Sequence, residues 1–180
     1  MKRPRSASIH RVTDETDIYV EILIDGVGKG DINTSLKFLD HMLETFAKYS
    51  KFDIKIKAEG DLKHHIVEDV GITLGLALKT ALEDRDGIRR FGSAIVPMDD
   101  ALVVVAVDLK ERIYFSSNLR LEGYIEDVYY QDIIHFLRSF TYNMVATVHI
   151  NQLAGYNFHH IVEASFKGLG MAFREGVRLR

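Results

Sequence analysis

The pentapeptide His-His-Ile-Val-Glu stands at His64 to Glu68 and again at His159 to Glu163. On a helix, residues four apart project about 40° from one another, so His64 with Glu68, and His159 with Glu163, each set an imidazole and a carboxylate on one face. Such a pair can chelate a divalent cation. Adjacent residues diverge by about 100°, so His65 and His160 point elsewhere, to a second ion or to another chain. His41 and His135 lie on corresponding earlier helices. The repeat offset carries His41 to Phe136, and a one-residue length change between the copies would superimpose His41 on His135. His41, His64, His65, Glu68, His135, His159, His160 and Glu163 are then enough for two sites of three imidazoles and one carboxylate. A histidine pair alone could equally cap a helix or sit on a solvated face. Its recurrence together with its glutamate favours a duplicated ligand set. His149 has Ile54 as its repeat equivalent and so no symmetric partner, and His10 has no metal-like context.

The elements that must hold these residues read as two copies of one plan. Alternation at Ile18, Val20, Ile22 and Ile24 marks a strand with one buried face, preceded by a shorter one around Ser8 to Val12, with Asp14 and Glu15 in the turn. Gly26, Gly28 and Gly30 interrupt the pattern before a short strand near Ile32. Phe38, Leu39, Met42, Leu43 and Phe46 take helical spacing, Ile54, Ile56 and Ala58 return to alternation, and His64 to Leu82 is helical. The second copy predicts strands near Ser93–Val96, Ala101–Asp108 and Ile113–Ser116, then a helix at Ile133–Tyr142, a strand at Thr147–Asn151 and a helix from His160. The expectation is an α+β fold by internal duplication. Two β-β-β-α-β-α halves, 1–86 and 87–180, each a four-stranded sheet backed by two helices, form one compact unit.

Composition narrows the chemistry. The 180 residues are 47% apolar and 27% charged, which suits a folded core and excludes a disordered or collagen-like chain. Lysine and arginine total 23 against 26 acidic residues, a net charge of -3, so the basic excess that nucleic-acid binding needs is missing. With no cysteine there is no thiolate nucleophile or thiolate metal site, and any metal is held by nitrogen and oxygen. That donor set suits manganese, iron, cobalt, nickel or zinc alike. The apolar run Ala101–Val107 is far shorter than the roughly 20 residues of a membrane span. No apolar stretch follows the basic start as in a secretory signal. A cytoplasmic protein that binds neither nucleic acid nor membrane is expected.

The motifs Phe38-Leu39-Asp40-His41-Met42-Leu43, His64-His65-Ile66-Val67-Glu68-Asp69, Pro97-Met98-Asp99, His135-Phe136 and His159-His160-Ile161-Val162-Glu163 with Lys167 occur in one order. Together with Arg11-Val12-Thr13-Asp14-Glu15-Thr16 and Gly87-Ile88-Arg89-Arg90-Phe91-Gly92, the chain resembles the imidazoleglycerol-phosphate dehydratase family over nearly its whole length. Where that family usually carries Thr-Gly-x-Gly, Thr34-Ser35-Leu36-Lys37 stands here, and Thr45, Tyr49, Lys63, Asp100 and Lys110-Glu111-Arg112-Ile113 also depart from its pattern.

The resemblance implies an enzyme of histidine biosynthesis that dehydrates imidazole glycerol phosphate to imidazole acetol phosphate. It further implies two manganese ions per site and a homo-oligomer of 24 subunits with sites at subunit interfaces. The C–H bond to be broken is unactivated, and a side-chain base alone could scarcely break it. Two cations flanking the ring would stabilise its imidazolate form, from which the ring can expel the neighbouring hydroxyl and acidify the remaining C–H bond. Glu15 matches the family's Glu-Thr pair and is the candidate acid/base. Arg90, Arg112 and Lys167 match basic positions that hold the substrate phosphate. The alternatives are a dinuclear metal-dependent phosphoester hydrolase, whose usual sites are richer in aspartate, and an inactive paralogue assembled by metal.

Overall fold

A computed structural model describes residues 4–83 and 85–180. In the first half, strands β1 (Ser6–Val12), β2 (Thr16–Leu23) and β3 (Gly30–Asn33) precede helix α1 (Lys37–Ser50), strand β4 (Asp53–Gly60) and helix α2 (Lys63–Leu82). In the second, β5 (Phe91–Met98), β6 (Ala101–Asp108), β7 (Tyr114–Ser117) and a hairpin of β8 (Tyr124–Ile125) and β9 (Val128–Tyr129) precede α3 (Tyr130–Met144), β10 (Thr147–Ala154) and α4 (Phe158–Gly176). The two four-stranded sheets have equivalent orders, β1-β2-β4-β3 and β5-β6-β10-β7. In each, two antiparallel pairings are followed by one parallel pairing across a helical crossover. The expected plan therefore holds, and the hairpin β8–β9 is an addition to it.

Strand alternation sends Ile18, Val20, Ile22, Ile54 and Ile56 inward from the first sheet and Val103, Val105, Val107, Val148 and Ile150 inward from the second. Helices α1 and α2 lie on the first sheet, and α3 and α4 on the second. The helical layers then meet across the halves, α1 along α4 and α2 along α3. Glycines permit that approach. A Cβ on Gly75 would lie 2.6 Å from the Phe140 carbonyl oxygen, and one on Gly170 would lie 2.9 Å from the Phe46 carbonyl oxygen. At the centre, Phe46 and Phe140 meet edge to face with ring centroids 5.9 Å apart.

Phe46 and Phe140 are repeat equivalents at the spacing that relates His41 to His135, whereas α2 and α4 are related by one residue more. The extra residue lies in the connection from β10 to α4, Gly155 to Asn157, against Asp61 and Leu62 between β4 and α2. This corrects the equivalence of His149 with Ile54. In the structure His149 corresponds to Lys55, because both follow the first inward residue of their strands. His149 lies against Tyr114, with centroids 5.4 Å apart.

Candidate metal centre

Because α1 packs on α4 and α3 on α2, each cluster of ligand-type side chains takes residues from both halves. His41, His159 and Glu163 form one triad, and His64, Glu68 and His135 form its repeat-related counterpart. Ligand atoms within each triad lie within 4.8 Å of one another. In the first, Glu163 Oε2 is 3.5 Å from His41 Nε2 and 3.3 Å from His159 Nε2. In the second, Glu68 Oε1 is 3.1 Å from His135 Nε2 and Oε2 is 3.8 Å from His64 Nε2.

Three imidazoles in the paired motifs have Nδ1 close against a carboxylate: His64 on Asp132 at 2.7 Å, His65 on Asp61 at 2.7 Å and His160 on Asp100 at 2.6 Å. His159 Nδ1 meets Glu126 at 3.1 Å. A carboxylate on Nδ1 fixes the proton there and leaves the Nε2 lone pair for a cation. His135 differs, since Arg138 Nη2 lies 2.9 Å from its Nδ1. Its Nε2 is buried and has Glu68 Oε1 at 3.1 Å. Two imidazole nitrogens and a carboxylate oxygen within 4.8 Å of one another in each triad fit a divalent ion.

His65 and His160 join neither triad. The Asp61 carboxylate holds the His65 ring above its ordinary pKa against the opposing effect of desolvation, and Glu15 Oε2 stands 3.7 Å from the same Nδ1. His160 has Asp99 Oδ2 at 3.6 Å from its Nε2. Asp100 also accepts the backbone N–H groups of Tyr156 and Asn157. With the Asn157 N–H foremost and His160 next, these hold its carboxyl well below the usual range. The divergence expected of adjacent histidines is thus present, and the ligand-type side chains brought together among the described residues are two imidazoles and a carboxylate per cluster.

The turn bearing Glu15 is fixed from below. Thr13 Oγ1 accepts the N–H groups of Glu15 and Thr16, Thr16 Oγ1 donates to buried Asp69, and Arg11 pairs with the same carboxylate. Asp69 follows Glu68 directly, so the Glu15 turn is anchored to the helix that carries Glu68 and His64 of one triad. Among the basic candidates, Lys167 Nζ lies 3.0 Å from Glu163 Oε1. Burial would raise the Glu163 carboxyl, but Lys167 and His41 outweigh it and lower the pKa. Arg90 is engaged by both oxygens of Asp108, at 2.7 and 2.8 Å. Its N–H donates to Gly176 at the far end of α4 from His159, roughly 25 Å along the axis. Arg112 is exposed in the loop after β6. The chain by itself does not bring Arg90 and Arg112 to Lys167. At Ser35, where the resemblance leads one to expect glycine, the backbone keeps the left-handed conformation, with φ 66°.

Sequence reasoning missed Asp61, Glu126 and Asp132, and marked Asp100 only as a departure from the family pattern, without a role. Asp61 stands four residues before His65, a local signal. The other three reach their histidines through the tertiary fold and leave no signal in spacing.

A profile of the family described as imidazoleglycerol-phosphate dehydratase matches residues 34–173. Proteins of that name from Thermodesulfovibrio yellowstonii and Saccharolobus solfataricus are 44% and 48% identical to it, each alignment covering 97% of this chain and 93% of the relative. The crystal structure from Pyrococcus furiosus superposes with a TM-score of 0.84 at 44% identity, covering 96% of this chain and 94% of the other. The structure from Staphylococcus aureus gives 0.89 at 31% identity, covering 97% and 99%. With the duplicated fold and paired histidine clusters in agreement, this chain belongs to the imidazoleglycerol-phosphate dehydratase family.

Proposed function

We propose that the chain dehydrates imidazole glycerol phosphate to imidazole acetol phosphate in histidine biosynthesis, using two divalent ions held by its paired histidine clusters. The observation that carries this reading is the repeat-related pair of triads, His41–His159–Glu163 and His64–Glu68–His135. Manganese is the proposed ion because the family resemblance implies it; nitrogen and oxygen donors without thiolate admit it alongside iron, cobalt, nickel and zinc. When bound, the ions supply positive charge beside the substrate's imidazole ring.

The chain's own groups then have defined tasks. Hydroxyl is lost from the carbon bonded to the ring and a proton from its neighbour, giving an enol that becomes the ketone when the first carbon is reprotonated. One water leaves and no redox change occurs. Glu15, exposed and beside His65, carries protons in this sequence. His65 and His160 would hold ions through Nε2 where chains meet, with Asp61 and Asp100 keeping their protons on Nδ1. Arg90, Arg112 and Lys167 bind the phosphate dianion, a set completed where chains meet.

The halves are taken as 1–86 and 87–180, and the working form as a cytoplasmic homo-oligomer of 24 subunits with sites at the interfaces. Incubation with imidazole glycerol phosphate and manganese tests the reaction: the keto product is expected. Release of inorganic phosphate would instead mark a phosphoester hydrolase, and no turnover by metal-loaded protein would mark an inactive assembly.

A further inference from the structure

Three residues join β3 to α1, whereas twelve join β7 to α3, and the hairpin β8–β9 lies within those twelve. Its turn, Glu126 and Asp127, reaches the N-terminal ends of three helices. Asp127 accepts the Lys37 N–H at 2.7 Å and the Phe38 N–H at 3.0 Å, supplying α1 with the cap that Leu36 cannot give. Its carbonyl accepts from Lys63 Nζ at the start of α2. Glu126 Oε1 meets His159 Nδ1 at 3.1 Å on α4. Glu126 does so from φ 53°, a left-handed conformation costly for glutamate.

The duplication explains why such a device is needed. In the His64 triad, the carboxylate on Nδ1 is Asp132, supplied by the first turn of the facing helix α3. The corresponding position of the facing helix α1 is Phe38, whose ring lies tilted against His159 with centroids 5.1 Å apart and offers no carboxylate. The orienting carboxylate therefore has to come from outside the repeat.

We propose that the Glu126–Asp127 turn is a positioning device for the His41–His159–Glu163 triad, holding α1 and His159 in ligating geometry and setting that triad's metal affinity separately from its twin. The inference rests on the reading of both triads as metal sites. Asp127 seats the helix that carries His41, and Glu126 fixes the His159 tautomer. Orienting partners of this kind change metal affinity about 10- to 100-fold when removed.

The test is a manganese titration of chelator-stripped protein, followed by calorimetry and by the electron paramagnetic resonance of bound and free ion. Wild type should take two ions per chain. Glu126→Ala should weaken one of them about 10- to 100-fold and leave the other unchanged. Asp127→Ala should do the same, and Asp127→Asn, which keeps a capping oxygen, should restore the weakened site. Asp132→Ala should weaken the other ion, and combination with Glu126→Ala should weaken both. Two ions bound by Glu126→Ala with wild-type affinities would overturn the positioning role while sparing the metal reading. Wild type that binds no manganese would overturn the metal reading and the proposal with it. Should Asp127→Ala fail to fold, Glu126→Ala decides alone, because that side chain is 62% exposed and among the described residues hydrogen-bonds to His159 and to no helix N–H.

Discussion

Glu15 and His65 share a corner of the molecule, 3.7 Å apart, yet only the histidine has its ring fixed by a neighbour, Asp61. Glu15 is exposed and hydrogen-bonds through its backbone alone among the described residues, so its carboxylate is free to reach a substrate while the turn beneath it stays anchored to Asp69. Glu15→Gln keeps the shape and removes the proposed proton carrier. Turnover should fall about 100- to 10,000-fold, the usual worth of a positioned acid or base, while metal content and assembly mass stay at wild-type values. Near-normal kcat in this variant would take Glu15 out of the mechanism. At this scale the ligand types were legible from spacing, because the i, i+4 relation between His64 and Glu68 is a property of the helix itself. Which ligands share a cluster was not legible. His41 joins Glu163 across 122 residues of chain only because α1 packs on α4.

At the scale of elements, Gly75 and Gly170 make two effects oppose each other. In an isolated helix, glycine to alanine stabilises by about 1 kcal/mol. Here the added methyl on Gly75 would meet the Phe140 carbonyl at 2.6 Å and the Met144 nitrogen at 2.9 Å, both backbone atoms. Backbone cannot swing aside, so the clash wins. Gly75→Ala should destabilise by about 1–3 kcal/mol, read from denaturant unfolding, and an increase in stability would show that α2 and α3 can separate without loss. Asp53 supports a different element, the turn from β2 to β3, where one carboxylate oxygen accepts the N–H groups of Val27, Gly28 and Lys29. The Lys29 N–H foremost, against a raising effect of burial, holds its pKa below the ordinary 3.8. A lowered folded-state pKa contributes stability that is fully present above the unfolded value and drains away as pH falls through the folded one. The loss in thermal midpoint from pH 7 to pH 3 should therefore be smaller in Asp53→Asn, which keeps an accepting oxygen without the charge. An equal loss would mean that Asp53 contributes nothing to the acid sensitivity. The strands and helices were legible because their apolar periods run over four or more residues. The β8–β9 hairpin was not, since two-residue strands have no period to read.

For the molecule as a whole, the duplication supplies each cluster with two imidazoles and one carboxylate and leaves His65 and His160 directed away from both. On the proposed reading, a four-ligand site would draw its remaining histidine from another chain, and the ion would then be a link between chains. A second means of association needs no metal. The outer face of the first sheet carries Asp17, Glu21, Lys55, Lys57 and Glu59, whereas that of the second carries Ile95, Leu102, Val104, Ala106 and Leu153. Ile95 and Leu153 are 65% and 60% exposed in the single chain. Ordinary apolar contact through that face would survive chelation, and links through histidine would not. An ion that binds only the assembled state stabilises it by mass action, so its removal shifts the population toward smaller species. Acid acts in the same direction, because histidine ligates as the neutral ring and protons compete with the ion increasingly below about pH 6.5. Light scattering coupled to size exclusion should give a lower mass after chelation and recovery when manganese is returned. An unchanged mass in protein verified as metal-free would assign the assembly to side-chain packing through the apolar sheet face, and would leave His65 and His160 without a role between chains.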